Sequence, residues 1–134
     1  MSPAATGPIA GRGERILVVE DEAGARQSLE EILAFHRYEV TAVADGNEAL
    51  ALPRMPAFDL LLCDLVLPGL SGTDVALALQ ARWPAMRVLL MSGYSQDEVA
   101  KHAVLGGQVR FLQKPFDIDA LLRELRSASA KQDP

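Results

Sequence analysis

The chain has 134 residues, of which 49% are apolar and 23% are charged, so it can form one domain with a packed core. It has no apolar run long enough to span a bilayer and no pattern typical of a secretory signal, and its single cysteine, Cys63, excludes an internal disulfide. A net charge of −5 argues against nucleic acid or an anionic membrane as a direct partner, and we expect a soluble cytoplasmic domain.

Strands and helices are predicted to alternate along most of the chain. Short aliphatic runs predict five strands, at Arg15 to Glu20, Tyr38 to Val43, Phe58 to Cys63, Met86 to Met91 and Val109 to Gln113. Apolar residues at helical spacing predict five helices, at Ala25 to His36, Asn47 to Leu52, Ser71 to Trp83, Gln96 to Leu105 and Asp117 to Ser127. Residues 1–14 are interpreted as a flexible N-terminal tail or linker, residues 15–128 as the domain, and residues 129–134 as a C-terminal tail.

Strict alternation of this kind is typical of right-handed βαβ units, which build a parallel sheet with helices on both faces. The predicted fold class is therefore α/β, with a doubly wound five-stranded sheet. In such open sheets the functional site lies just outside the carboxyl ends of the strands. The residues that directly follow each predicted strand are thus the candidates for function.

Chemically active side chains follow four of the five predicted strands. Glu20, Asp21 and Glu22 follow the first, Asp64 the third, Ser92 the fourth and Lys114 the fifth. Carboxylates forced together repel one another, and a hard divalent cation such as Mg²⁺ relieves the repulsion. A carboxylate can also attack phosphorus, while a metal and a lysine neutralise the charge of the transferring phosphoryl group. The set therefore predicts phosphoryl transfer.

Each of these residues also has an ordinary structural explanation when it is taken alone. An acid after a strand is usually a turn residue or a helix cap, and Glu22 is expected to be solvated or to cap the first helix. A serine such as Ser92 is commonly a turn residue too. Their joint occurrence at separate strand ends is what favours a common site.

Four stretches resemble the receiver domains of two-component response regulators. They are ILVVEDE (Ile16 to Glu22), CDLVLPGLSG (Cys63 to Gly72), LLMSGYS (Leu89 to Ser95) and FLQKPF (Phe111 to Phe116), and the resemblance covers Arg15 to Ser127. It implies the flavodoxin-like (βα)5 fold with strand order 2-1-3-4-5. It also implies a signalling phosphoacceptor that is not an enzyme, although it assists its own phosphorylation and dephosphorylation.

The same resemblance implies a role for each matching residue. Asp64 is the expected phosphoacceptor, with Lys114 and Ser92 as its catalytic partners, and a histidine kinase or histidine phosphotransfer protein is the expected donor. Ser92 and Phe111 are the expected switch residues. They would change the surface made by the fourth helix, fifth strand and fifth helix, through which family members can also form homodimers.

A metal site and a cis peptide bond are further implications of the resemblance. Glu20, Asp21, Asp64 and the backbone carbonyl of Val66 are the expected ligands of Mg²⁺ or Mn²⁺. Glu20 stands where aspartate is more frequent in the family, so it is expected to reach the metal directly or through water. The peptide bond between Lys114 and Pro115 is one that the family has in the cis form.

Val66 and Tyr94, each two residues after an expected site residue, should flank the path of the attacking water. Both are large, and neither is an acid or amide that would position water well. We therefore predict that they lengthen the life of the phosphorylated state. Cys63 precedes Asp64 on a strand, so it should point to the opposite side, into the core.

Three other functions compete with that of a phosphoacceptor. A phosphatase of the haloacid dehalogenase type needs an aspartate two residues after its nucleophile, where this chain has Val66. A flavodoxin-like cofactor site needs a phosphate-binding loop after the first strand, where Glu20, Asp21 and Glu22 would repel phosphate. A degenerate receiver that only binds proteins remains an alternative.

The sequences of the motifs are similar to those of receivers of hybrid sensor histidine kinases. This similarity favours a terminal receiver of such a kinase over a stand-alone protein.

Overall fold

The computed structural model describes residues 11–93 and 109–130. Its five strands are β1 (Arg15–Val19), β2 (Glu39–Val43), β3 (Leu60–Asp64), β4 (Arg87–Ser92) and β5 (Val109–Gln113). The helices within these residues are α1 (Ala23–Phe35), α2 (Gly46–Leu50), α3 (Gly72–Arg82) and a C-terminal helix (Ile118–Ala130). The fourth predicted helix, at Gln96 to Leu105, lies outside the described residues.

The strands form one parallel sheet with the order β2-β1-β3-β4-β5. This confirms the predicted fold class and the strand order that the resemblance implied. β1 and β3 are neighbours in the sheet, with Val19 opposite Cys63, and β3 pairs with β4 so that Asp64 lies opposite Met91. The carboxyl ends of β1, β3, β4 and β5 therefore meet along one edge.

Side chains alternate between two buried layers. One layer contains Ile16, Val18, Leu60 and Leu62 and is covered by α1 and the C-terminal helix; we call it the α1 face. The other contains Leu17, Val19, Leu61 and Cys63 and is covered by α2 and α3; we call it the α3 face. Cys63 is fully buried there, as predicted. Strands buried on both faces explain why the sequence shows continuous apolar runs instead of alternation.

Side-chain caps set the start of the helices. The Glu22 side chain accepts hydrogen bonds from the backbone N–H groups of Gly24 and Ala25 at the start of α1. The Ser71 hydroxyl accepts one from the backbone N–H of Asp74 at the start of α3. Because Glu22 is the cap, α1 begins at Ala23, two residues before its predicted start. The C-terminal helix continues three residues beyond its predicted end at Ser127.

Residues 11–14, which precede β1, are in contact with the domain. The N–H of Gly11 donates to the carbonyl of His36 (2.7 Å), and the N–H of Glu39 donates to the carbonyl of Glu14 (2.9 Å). The Glu14 carboxylate lies 2.6 Å from Nη2 of Arg126 on the C-terminal helix, and both side chains are largely buried. Burial alone would raise the pKa of Glu14, but hydrogen bonds from the Arg12 N–H and from Arg126 outweigh it, so that the pKa is lowered from 4.5.

None of the helices in residues 11–93 and 109–130 combines enough length with enough apolar character to cross a bilayer.

Candidate functional site

Three carboxylates converge at the sheet edge where the strands end. Glu20 and Asp21 follow β1, Asp64 ends β3, and one oxygen atom of each lies within 4.8 Å of the others. Glu20 continues the alternation of the α1 face after Val18, and Asp64 continues it after Leu62. The structure therefore brings together the acids that were predicted to form one site, because β1 and β3 are adjacent in the sheet.

Two of these carboxylates are buried. Glu20 is 3% exposed and Asp64 is 9% exposed, whereas Asp21 is exposed to solvent. Burial raises the pKa of Glu20, and the nearby carboxylates of Asp64 and Asp21 raise it further, against the opposing effects of the Glu22 N–H and Lys114. A positive charge close to a buried carboxylate of this kind stabilises its ionised form.

Lys114 supplies positive charge to the two buried acids. Its Nζ lies 2.8 Å from Oδ2 of Asp64 and 3.6 Å from Oε1 of Glu20. Burial lowers the pKa of Lys114, but the hydrogen bond and the charge of Asp64, together with Glu20, raise it overall, so the amine stays protonated. Its backbone is fixed by an N–H donated to the carbonyl of Ser92 (2.7 Å), and the following bond to Pro115 is cis.

Backbone contacts hold the end of β3. The Val66 N–H donates to Oδ1 of Asp64 (3.2 Å), and the Leu65 N–H donates to the carbonyl of Met91 (2.8 Å). The Gly72 N–H donates to the carbonyl of Leu65 (2.8 Å). A Cβ on Gly72 would lie only 2.3 Å from the Asp64 carbonyl oxygen, so the close approach of α3 to this strand end requires glycine.

The loop between β1 and α1 is held from two sides. The Glu22 N–H donates to Oε2 of Glu20 (3.1 Å), while the Glu22 side chain caps α1. Nη1 of Arg26 on α1 donates to the carbonyl of Glu20 (2.9 Å) and lies 3.5 Å from that of Asp21. The prediction did not include Arg26. The available signal was an arginine in the first turns of the helix after an acidic pair, and spacing alone does not say that it reaches back to the loop.

The predicted switch residues lie on β4 and β5. Ser92 ends β4 and is 2% exposed, and Phe111 is partly buried against the α3 face. Leu90 and Phe111 are direct partners in the sheet, and alternation along β4 directs Ser92 to the same face as Leu90. Of the two residues predicted to prolong the phosphorylated state, Val66 is 61% exposed, and Tyr94 lies outside the described residues.

A groove of about 550 Å³ lies directly beside the acids. α1 contributes Ala25, Ser28 and Leu29, and the segment after β5 contributes Pro115 and Phe116. Glu20 and Lys114 lie at its polar end. The site thus opens into a largely apolar groove between α1 and the segment that follows β5.

The donor atoms of the acidic cluster fit a hard divalent cation. Three carboxylates offer oxygen atoms at close range, and the single ammonium group of Lys114 leaves an excess of negative charge among them. A set made only of oxygen atoms suits Mg²⁺ or Mn²⁺, whereas Zn²⁺ sites typically include nitrogen or sulfur ligands. Glu20, Asp21 and Asp64 are the residues that would hold such an ion.

Comparison with known proteins gives a consistent family. Residues 16–126 match the family model of the response regulator receiver domain. The chain is 35% identical over 115 residues to the transcriptional regulatory protein ZraR of Salmonella typhimurium, which is 86% of this chain and 26% of that protein. It is 31% identical over 121 residues to the sporulation initiation phosphotransferase F of Bacillus subtilis, which is 90% of this chain and 94% of that protein. The chain therefore spans about a quarter of the length of ZraR and of several other curated relatives.

Solved structures show the same architecture. The receiver domain of the hybrid histidine kinase CckA superposes with a TM-score of 0.72 at 32% identity, covering 86% of this chain and 98% of that one. The response regulator TrrA of Thermotoga maritima, in complex with Mg²⁺ and BeF, superposes with a TM-score of 0.73 at 28% identity, again covering 86% and 98%.

Proposed function

Because the chain belongs to the family of response regulator receiver domains, we propose that Asp64 accepts a phosphoryl group from a phosphohistidine of a histidine kinase or a histidine phosphotransfer protein. The observation that carries the proposal is the convergence of Glu20, Asp21 and Asp64 within 4.8 Å, with Nζ of Lys114 2.8 Å from Asp64. Receiver domains are phosphoacceptor signalling domains, and the proposal gives the acids and the lysine of this chain the roles that such a reaction needs.

The proposed reaction is a transfer between two nucleophiles. A carboxylate oxygen of Asp64 attacks phosphorus, the bond from phosphorus to the imidazole nitrogen breaks, and its electron pair stays on that nitrogen, which takes up a proton. The product on this chain is an acyl phosphate. Attack by water on phosphorus later breaks the new bond, releases inorganic phosphate and restores the carboxylate.

Residues around Asp64 would stabilise the charge that moves in this reaction. In the unphosphorylated chain Lys114 holds one oxygen of Asp64 and the Val66 N–H holds the other. We expect Lys114 to transfer its contact to a phosphoryl oxygen as the new bond forms, and the Ser92 hydroxyl to donate to a second one. Mg²⁺ bound by Glu20, Asp21, Asp64 and the Val66 carbonyl would supply further neutralisation of phosphoryl charge. The related TrrA forms a complex with Mg²⁺ and BeF, which supports a Mg²⁺ site in this chain.

The groove beside the acids gives the donor a place to approach. It is open, largely apolar and ends at Glu20 and Lys114, so a helix that carries a phosphohistidine can lie along α1 with its imidazole towards Asp64. Lys114, at the polar end of the groove, would attract the negatively charged phosphoryl group. The CckA receiver, which belongs to a hybrid histidine kinase, supports a partner of this class.

Phosphorylation is proposed to change the surface around β5. Ser92 would move towards the phosphoryl group, and Phe111 would turn into the space that this movement leaves, as a shift between two packings. The C-terminal helix lies next to β5, where Nε of Arg110 is 2.8 Å from Glu124. This surface, together with the fourth predicted helix, is where a downstream partner or a second copy of the chain would bind.

Phosphorylation by a small donor tests the proposal directly. The parent chain incubated with acetyl phosphate and Mg²⁺ should gain the mass of one phosphoryl group, and removal of Mg²⁺ with a chelator should abolish the gain. Asp64→Asn should remain unmodified, whereas Asp74→Asn, which removes an exposed acid on α3, should behave as the parent does. A parent that never gains mass, or a gain that persists in Asp64→Asn, would leave the degenerate, protein-binding receiver as the better explanation.

A second test concerns the lifetime of the phosphorylated state. Val66 is large and exposed beside Asp64, and we propose that it shields the acyl phosphate from water. Val66→Asn should shorten the lifetime, because an amide can hold a water molecule near phosphorus. Mass spectrometry at intervals after removal of the donor measures how fast the phosphorylated species decays. An unchanged or longer lifetime would contradict the shielding role of Val66.

A further inference from the structure

Arg26 makes contacts that set it apart from the other basic residues near the site. Its Nη1 donates to the carbonyl of Glu20 at 2.9 Å and lies 3.5 Å from the carbonyl of Asp21. These carbonyls belong to the two peptide groups on either side of the Asp21 α-carbon. One guanidinium group, half-buried on α1, therefore bonds to the peptide group before Asp21 and contacts the one after it.

Asp21 depends on this backbone support more than the other two acids do. The Glu20 carboxylate accepts a hydrogen bond from the Glu22 N–H, and the Asp64 carboxylate is held by Lys114 and by the Val66 N–H. Within residues 11–93 and 109–130, the exposed carboxylate of Asp21 accepts no hydrogen bond. The contacts of Arg26 with the flanking peptide groups are therefore the side-chain contacts that hold the backbone from which this carboxylate projects.

We propose that Arg26 is a positioning residue, whose guanidinium group holds the peptide groups around Asp21 and thereby directs the Asp21 carboxylate towards a divalent cation shared with Glu20 and Asp64. This role rests on the proposed function, since it presumes that the acids bind a cation. Arg26 would touch neither the cation nor the phosphoryl group. Groups that hydrogen-bond to metal ligands and orient them typically contribute about 10–100-fold to metal affinity.

The positive charge of Arg26 weakens cation binding, whereas its proposed positioning role strengthens it. The direction of the change in Mg²⁺ affinity on mutation therefore distinguishes the two effects. A guanidinium group near a cation site repels the cation, so removal of the charge alone should tighten Mg²⁺ binding. Loss of positioning should weaken binding instead. A purely structural role would lower the free energy of unfolding and leave the Mg²⁺ affinity of the folded protein unchanged.

The decisive experiment is a Mg²⁺ titration of the parent, Arg26→Met and Arg26→Lys without any phosphodonor, by calorimetry or NMR amide shifts. We expect roughly tenfold weaker binding for Arg26→Met. Arg26→Lys keeps the charge but presents a single ammonium group, so it should bind Mg²⁺ more weakly than the parent, and that weakening would come from lost positioning and not from a change of charge. Arg123→Met, which removes an exposed arginine from the C-terminal helix, is the charge-matched control and should bind as the parent does.

Phosphorylation kinetics give a second measurement. In Arg26→Met the Mg²⁺ concentration needed for half-maximal phosphorylation by acetyl phosphate should rise, while the rate at saturating Mg²⁺ stays within about threefold, because a misdirected ligand is compensated by more cation. Urea denaturation checks that each variant is folded, and Arg26→Lys decides the question if Arg26→Met is not.

Several outcomes would overturn the role of Arg26. Arg26→Met that binds Mg²⁺ as tightly as the parent, or more tightly, contradicts it, and so does a lower saturating rate with an unchanged Mg²⁺ requirement. A parent that binds no Mg²⁺ also overturns it. A parent that binds Mg²⁺ but is never phosphorylated overturns only the proposed function, and the comparison of Mg²⁺ affinities still decides the role of Arg26.

Discussion

Gly72 lies against the backbone of the proposed phosphoacceptor, and we predict that Gly72→Ala both destabilises the domain and slows its phosphorylation. Its Cβ would lie 2.3 Å from the Asp64 carbonyl oxygen and 2.7 Å from the α-carbon of Leu65. Both neighbours are backbone atoms, so no side-chain rotation relieves the overlap. The start of α3 and the end of β3 must move apart instead.

The size of the effect follows from these distances. Ordinary van der Waals contact begins near 3.4 Å, so the backbone must separate by about one ångström. Overpacking of this kind costs about 1–3 kcal/mol, and alanine regains at most about 1 kcal/mol through its higher helix propensity. We expect a net loss of about 1–2 kcal/mol in the free energy of unfolding. A misplacement of about one ångström at a reacting group can also slow a reaction by about a hundredfold.

Urea denaturation followed by the fluorescence of Trp83, the only tryptophan, measures the stability. Phosphorylation by acetyl phosphate is then compared at saturating Mg²⁺ and without urea, where the variant is folded. Gly24→Ala is the matched control, because Gly24 lies in the first turn of α1 and its Cβ would meet only the flexible Glu22 carboxylate at 3.4 Å or more. That control should be neutral or slightly stabilising. If Gly72→Ala matched the parent in both stability and rate, the close approach would not constrain the site.

Three further predictions concern the stability of the fold and the burial of its core. Glu14→Gln should lower the free energy of unfolding by about 1 kcal/mol near neutral pH, because it weakens the charge-assisted bond to Arg126. The pKa of Glu14 in the folded chain lies below 4.5, so this stability is present above that pH and is lost as the pH falls through the folded pKa. Urea denaturation at several pH values should show the stability difference between the parent and Glu14→Gln shrink as the pH falls. A difference that stays constant would contradict the prediction. Cys63 is fully buried and burial raises its pKa, so a thiol reagent should label it only in step with global unfolding, and rapid labelling of the native chain would contradict this. Trp83→Phe should cost about 1 kcal/mol or more, measured by circular dichroism in urea, because it removes the hydrogen bond from Nε1 to the carbonyl of Arg54 (2.7 Å); an unchanged midpoint would show that this bond adds no stability.

Within residues 11–93 and 109–130 the fold could be predicted because the elements carry strong local signals. Aliphatic runs marked the five strands within two residues at each end, and their alternation with helices indicated a parallel sheet. Strand ends were less certain, because they depend on partners in the sheet. β3 includes Asp64, which ends the apolar run, since the next N–H, that of Leu65, still bonds to β4. Strand order depended on the family resemblance, because alternation alone does not say which strands are neighbours.

The acids and the lysine of the site were predictable because they share one position, the end of a strand. What supports them was harder to see in the sequence. Arg26 acts through backbone carbonyls, and the Val66 N–H through a side chain two residues earlier, so neither contact depends on a pattern of residue types. The contact of Glu14 with Arg126 joins residues that are 112 positions apart, and only the folded chain brings them together.

The two faces of the sheet explain why a switch in this domain would need a residue such as Ser92. Alternation places Asp64 on the α1 face, whereas Phe111 packs on the α3 face, so a change at the acid has to cross the plane of the sheet to reach the aromatic ring. We propose that Ser92 provides that link. The Ser92 carbonyl accepts a hydrogen bond from the backbone N–H of Lys114, the residue whose side-chain amine contacts Asp64. By alternation along β4, the Ser92 side chain is on the α3 face, where Phe111 packs. If Lys114 or Ser92 moved towards a phosphoryl group, the packing around Phe111 on the α3 face would therefore change, while the register of the strands stayed the same.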